Sequence, residues 1–147
     1  MSKYYITDAD GDIASSETGG KVTNVEVLAI ATTLTIADSG KEFSLQGATD
    51  GAAITLPAVA TSAGFSCEFV VGSAFATTDW TIVSATSIIE GSAVVAGAVV
   101  AAINENTISF VASAESVGDR VKISCDGTSY LVSGDGVGSG SITFTDA

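Results

Sequence analysis

Residues 118–134 read GDRVKISCDGTSYLVSG. Two alternating runs flank Asp126-Gly127, a dipeptide suited to the positive φ angles of a tight hairpin turn. A type I′ turn at this pair predicts that Cys125 faces Thr128, Ile123 faces Tyr130 and Val121 faces Val132. Directly opposed residues share a face. Val121, Ile123, Cys125, Tyr130 and Val132 are therefore expected to form one apolar surface. Lys122, Ser124 and Ser129 fall on the other face, with Leu131 as the exception.

The same grammar of short runs and turn residues extends outward in both directions. Stretches 33–36, 42–45, 53–56, 65–71, 80–83, 87–90, 107–111 and 141–145 read as strands, with 80–83 and 87–90 expected to pair. Asp38-Ser39-Gly40 and Asn104-Glu105-Asn106 read as turns. Pro57, the single proline, lacks the N–H that a ladder needs and marks a strand end or an edge. Residues 93–103 are a small apolar run. Its β-branched content and the glycines at 91 and 97 favour strands around a turn over a helix. Residues 135–140 read as a flexible glycine-rich link. About ten short strands at ~8–12-residue spacing predict an all-β, single-domain antiparallel β-sandwich or barrel-like fold.

Residues 1–22 differ. They carry Asp8, Asp10, Asp12 and Glu17, and few large apolar side chains after Ile6. They are expected to form an extended N-terminal arm ahead of a β-rich domain at 23–147. Lys3, Tyr4, Tyr5, Ile6 and Thr7 make a short β-prone patch at the tip, suited to strand addition to a partner. A frayed terminus, or a strand closing the chain's own sheet, are the alternatives.

The chain has 147 residues, 17 acidic and 5 basic, for a net charge of −12. A domain of this length buries ~70% of the surface its unfolded chain exposes. The charge argues against binding a nucleic-acid backbone or an anionic membrane. It suits mutual repulsion between free copies, or docking onto a basic protein surface. No stretch reaches the ~20 apolar residues of a membrane helix, and no secretory signal pattern is present, so synthesis in a cytoplasm is expected.

Chemistry-bearing patterns are sparse. Asp8-x-Asp10-Gly11-Asp12 begins like a calcium loop, but Ile13 stands where glycine is required and Gly19 where a bidentate glutamate is required. The absence of histidine removes the commonest general base and metal ligand. Asp38, Asp50, Asp79, Asp119, Asp126 and Asp135 sit at turns and strand ends, where turn chemistry accounts for them. Cys67 and Cys125 each lie on an apolar strand face and are expected to be reduced core thiols, with a disulfide as the alternative. Arg120, the single arginine, is expected to pair with Asp119. Trp80 and Tyr130 read as core anchors. The expectation is a non-enzyme without catalytic residues, cofactor or metal. Symmetric assembly would bury apolar surface left exposed on a monomer, and Val94, Val95, Val99 and Val100 are the candidate contacts.

Several strings occur in a suggestive order: Ala37-Asp38-Ser39-Gly40-Lys41, Ile54-Thr55-Leu56-Pro57, Ala63-Gly64-Phe65 leading into Phe69-Val70-Val71, Trp80-Thr81-Ile82, Gly118-Asp119-Arg120, and Asp126-Gly127-Thr128-Ser129-Tyr130. This order, over residues 33–134, resembles small β-rich structural proteins of tailed bacteriophages, notably capsid decoration (cement) proteins. Similar modules occur in tail fibres and other virion appendages. The resemblance implies a virion component, often trimeric, on the outer capsid surface, with the major capsid protein as partner and no nucleic acid or membrane contact. Residues 3–7 would suit a strand lent to the capsid. The alternatives are a tail-fibre, spike or baseplate module for host-receptor binding or appendage assembly, and a cellular adhesin or pilin-like subunit.

Overall fold

The computed structural model describes residues 24–47 and 50–147. Twelve strands run in chain order: β1 Val25–Leu28, β2 Thr32–Thr33, β3 Glu42–Leu45, β4 Ala53–Thr55, β5 Ser66–Val71, β6 Trp80–Val83, β7 Ile89–Val95, β8 Ala98–Glu105, β9 Thr107–Phe110, β10 Arg120–Cys125, β11 Tyr130–Gly136 and β12 Ile142–Thr145. They form a seven-stranded sheet, β1-β3-β5-β10-β11-β7-β8, and a five-stranded sheet, β12-β9-β6-β4-β2. The two sheets pack around one core, so the all-β sandwich read from the sequence is the fold. The segment 1–22, expected to be an extended arm, lies outside the described residues.

The pairing corrects the antiparallel expectation. Five of the strand pairs are parallel and five antiparallel. The reason lies in the path. From β1 to β7 the chain alternates between the sheets, so β1, β3 and β5 lie in the large sheet while β2, β4 and β6 lie in the small one. Strands that are neighbours within a sheet are then two apart in sequence and run the same way. For the same reason β6 and β7 are not partners: β6 lies between β4 and β9, and β7 lies between β11 and β8.

The hairpin β10–β11 sits at the middle of the large sheet. Its ladder ends at Cys125↔Tyr130, not Cys125↔Thr128. The turn centres one residue later than the dipeptide rule expects. Asp126 closes it: its N–H donates to the Ser129 carbonyl (3.2 Å), and its Oδ1 accepts from the N–H groups of Thr128 (2.8 Å) and Ser129 (2.7 Å). Gly127 takes the positive φ, +92°. Moving the turn by one residue moves every partner by two, which preserves the faces. Val121, Ile123, Cys125, Tyr130 and Val132 therefore all lie in the core, although Ile123 faces Val132 and Val121 faces Gly134.

Around this hairpin the core is continuous. Phe43 stacks on Phe69 across β3 and β5 (centroids 5.3 Å apart, planes at 20°), and Phe65 meets Tyr130 edge-on (6.5 Å, 87°). Such pairs contribute about 0.5–1.5 kcal/mol beyond their burial. The Tyr130 hydroxyl donates to the Pro57 carbonyl (2.5 Å), and burial pushes its pKa up to about 12. Trp80 is wholly buried. Cys67 and Cys125 are both free and buried; burial, reinforced by the charge of Asp38, pushes the Cys67 thiol up to about 12.

Two local readings change. Residues 33–36 do not form one strand: β2 stops at Thr33, and Ile36–Asp38 make a 3₁₀ turn. Asp38 reaches back, its Oδ2 accepting the Thr35 N–H (2.8 Å), so a side chain replaces the ladder. The stretch 135–140 is not a free link, because β11 continues through Gly136, parallel to β7.

Candidate docking surface

Alternation within each strand gives the large sheet an inner face in the core and an outer face toward solvent. Register joins the outer residues into rows. One row runs Val27, Ser44, Val70, Arg120, Asp135, Val94, Val99 from one edge to the other. The next runs Val25, Glu42, Glu68, Lys122, Ser133, Ser92, Ala101. The middle of this face is charged and the two edges are apolar.

In the middle, Arg120 donates to Glu68 of β5 (3.1 Å). This corrects the expected Arg120–Asp119 pair. Consecutive residues of a strand project to opposite faces. Asp119 is turned inward, only 2% exposed, and its carboxylate accepts the N–H groups of Ser116 (2.9 Å) and Val137 (2.9 Å). Asp119 thus ties the entry of β10 to the segment after β11. Lys122 has no ion-pair partner among the described residues. Two open depressions, of about 290 and 320 Å³, flank this charged centre and share Glu68 and Lys122. Both are open to solvent and carry charged side chains among their lining, unlike the enclosed apolar pockets that hold small organic ligands.

At the rim beside β1, Lys41 bridges Glu26 (2.7 Å) and Asp38 (2.7 Å). The Lys41 hydrogen bond, with the Thr35 N–H second, holds the Asp38 carboxyl below its ordinary value. The Asp126 carboxyl is lowered too, by the N–H groups of Ser129 and Thr128.

The opposite edge is β8. It leaves β7 through the two-residue turn Ala96-Gly97, with φ of +50° and +80°, and Val95 faces Ala98 across the turn. That register sorts the four valines named from the sequence. Val94 and Val99 face each other on the outer side, with Val99 72% exposed. Val95 is 4% exposed and Val100 packs against the core, so neither is offered to an external contact. The sequence reading missed Ile103, 66% exposed, and Ala101, which stands between it and Val99. Anchoring the alternation on a turn at Ala96-Gly97 would have found both. Lys3, Tyr4, Tyr5, Ile6 and Thr7 lie outside the described residues, as do Asp8, Asp10 and Asp12.

Among the described residues no group of three or more Cys, Asp and Glu side chains is placed to hold a metal ion, and no helix is long and apolar enough to cross a membrane. No protein-family model matches the chain, and no curated protein matches it.

Proposed function

We propose that this chain is a structural assembly module, and that the assembly is the outer surface of a tailed-bacteriophage capsid, where it cements neighbouring major capsid protein subunits. The observation that supports the assembly reading is the apolar outer border of a sheet whose centre is charged. Val94, Val99 and Ile103 stand exposed on and beside an edge strand, where contact with another chain would remove them from water. The resemblance over residues 33–134 supports the choice of a capsid. The acidity suits a component that stays soluble and apart until it docks. In this reading residues 3–7 add a strand to the capsid protein, and the reaction chemistry of an enzyme plays no part.

The test is quantitative mass spectrometry of purified virions, reading copies of this chain per copy of major capsid protein. A ratio near one, or a simple fraction of it, is expected for a surface lattice. A few copies per particle would place the chain in a tail or vertex appendage instead, and its absence would end the virion reading. Deleting residues 1–20 is expected to abolish capsid binding while leaving the thermal melt of the domain intact.

A further inference from the structure

We propose that β8 pairs with β8 of a second copy, antiparallel and about a two-fold axis, with Ala101 opposite Ala101 and Val99 opposite Ile103. The argument begins with the four strands that end the two sheets. β2 has two residues. β1 has four, and its Glu26 is held by Lys41. β12 has four, and beyond it Ala147 keeps to the β9 side, exchanging two 3.0 Å hydrogen bonds with Asn106. β8 has eight residues, AVVAAINE, with a single charge at its end. Long, uncharged edge strands are what monomeric proteins avoid, because they present unpaired backbone groups to any other strand.

The open groups can be assigned. Val95 and Ala98 flank a two-residue turn and so form a hydrogen-bonded pair. Alternation then points the N–H and C=O groups of Val99 and Ala101 away from β7. Past the irregularity between Ile89 and Gly91, the Asn104 N–H is taken by Glu90 Oε1 (3.2 Å), which closes the strand's far end. Among the described residues nothing takes the outward groups of the stretch 98–103.

That stretch is self-complementary in one register. With Ala101 opposite Ala101, the two most exposed apolar side chains of the edge, Val99 and Ile103, meet twice, once on each side of the axis. Glu105 then falls opposite Gly97, so no like charges are opposed. Sliding to Val99 opposite Ala101 leaves Ile103 facing Gly97. Sliding the other way sets Val99 against Glu105. A surface that matches itself in this way is the mark of an isologous, two-fold contact. The net charge of −12 on each copy opposes it, and salt screens that repulsion. The pairing takes up the same apolar edge that supports the assembly reading but does not depend on a capsid as the partner, and it closes at two copies, not at the three that the resemblance implies.

Sedimentation velocity and light scattering of the full chain, across protein concentration and salt, test it. The expected result is a mass doubling from 14.6 kDa, with dissociation that weakens as salt rises. The pair V99K/I103K is expected to raise the dissociation constant at least about tenfold, although it lowers the net negative charge and general repulsion predicts the reverse. V27K, on the opposite edge, is expected to leave the dimer intact. A101C is expected to give a covalent dimer under mild oxidation, with the buried Cys67 and Cys125 uninvolved, and V27C is not. If V99K/I103K fails to fold by circular dichroism, A101C decides alone. A monomer at every concentration, a trimer, a dimer indifferent to V99K/I103K, or an A101C chain that does not cross-link would each overturn the proposal.

Discussion

The hairpins β10–β11 and β7–β8 are built by the same local rules and meet opposite fates. Each is a pair of strands with an apolar inner face, folded over a tight turn with positive φ, at Gly127 in one and at Ala96-Gly97 in the other. β10–β11 lies mid-sheet with β5 on one side and β7 on the other, so both its edges are paired. Its outer face is mostly polar, with Lys122, Ser124 and Ser133 exposed. β7–β8 ends the sheet, and there the outer face turns apolar at Val94, Val99 and Ile103. Alternation requires only that one face of a strand be apolar. On β8 the second face is apolar as well, along a sheet end whose outward backbone groups have no partner among the described residues, a combination that the chain's own core does not require.

The widest gap between the hairpins should appear in unfolding. Ile123→Ala empties a fully buried site in β10 and is expected to cost about 2–5 kcal/mol, whereas Val99→Ala on β8 is expected to stay within about 0.5 kcal/mol in the monomer. Urea denaturation at low protein concentration reads both. Equal costs would mean that β8 is buried in the monomer, and would erase the contrast.

A smaller gap separates two glycines of β7 and its turn. At Gly91, φ is +137° and an added Cβ would lie 2.1 Å from the Val132 carbonyl oxygen, so Gly91→Ala must push β7 off the central hairpin. At Gly97, φ is +80° but the space is open, leaving the conformational strain alone. Expected costs are about 2–3 kcal/mol for Gly91→Ala against about 1 for Gly97→Ala, from backbone strain with and without a clash. Thermal melts of the two variants sharpen how tightly the edge hairpin is held to the centre.

The buried tyrosine comes next. Tyr130→Phe keeps the ring against Phe65 and leaves the Pro57 carbonyl without its donor, at an expected cost of about 0.5–1.5 kcal/mol. Its urea midpoint should fall with an unchanged slope. An unchanged midpoint would mean that water replaces the hydroxyl.

Acid provides the smallest and most local contrast. The Asp126 carboxyl is lowered in the folded state by the Ser129 and Thr128 N–H groups. A depressed folded value means that its contribution is fully present above the ordinary 3.8 and is lost as pH falls through the lower folded value. Amide exchange at Thr128 and Ser129 is therefore expected to quicken in that window. The Ala96-Gly97 turn holds no titrating group and should not respond. Asp126→Asn should flatten the pH response of the central turn. A response at both turns would indicate global unfolding.

The faces of the central hairpin were legible in the sequence although its register was not. Asp126-Gly127 announces a turn, but the Asp126 side chain captures two N–H groups and moves the centre to Gly127-Thr128. Since that shift preserves parity, the core list survived it. Parity also decided the valines. Without an anchor, Val94, Val95, Val99 and Val100 look equivalent; once Val95 faces Ala98, two turn inward and two outward. Arg120 and Asp119 were misjudged as partners for the same kind of reason, since neighbours in a strand point apart.

By itself the sequence determined the all-β class, the positions of most strands, the burial of Trp80, Tyr130, Cys67 and Cys125, and a strongly acidic chain. Those follow from local quantities: period-two alternation, turn residues and side-chain type. Only the tertiary structure decided that β1 to β7 shuttle between two sheets and so pair in parallel, and that β8 rather than β10 is left at an edge. A turn residue records that the chain reverses. Whether it returns beside the strand it left or crosses to the facing sheet is settled by which apolar faces can cover each other, and that depends on residues far apart in the chain.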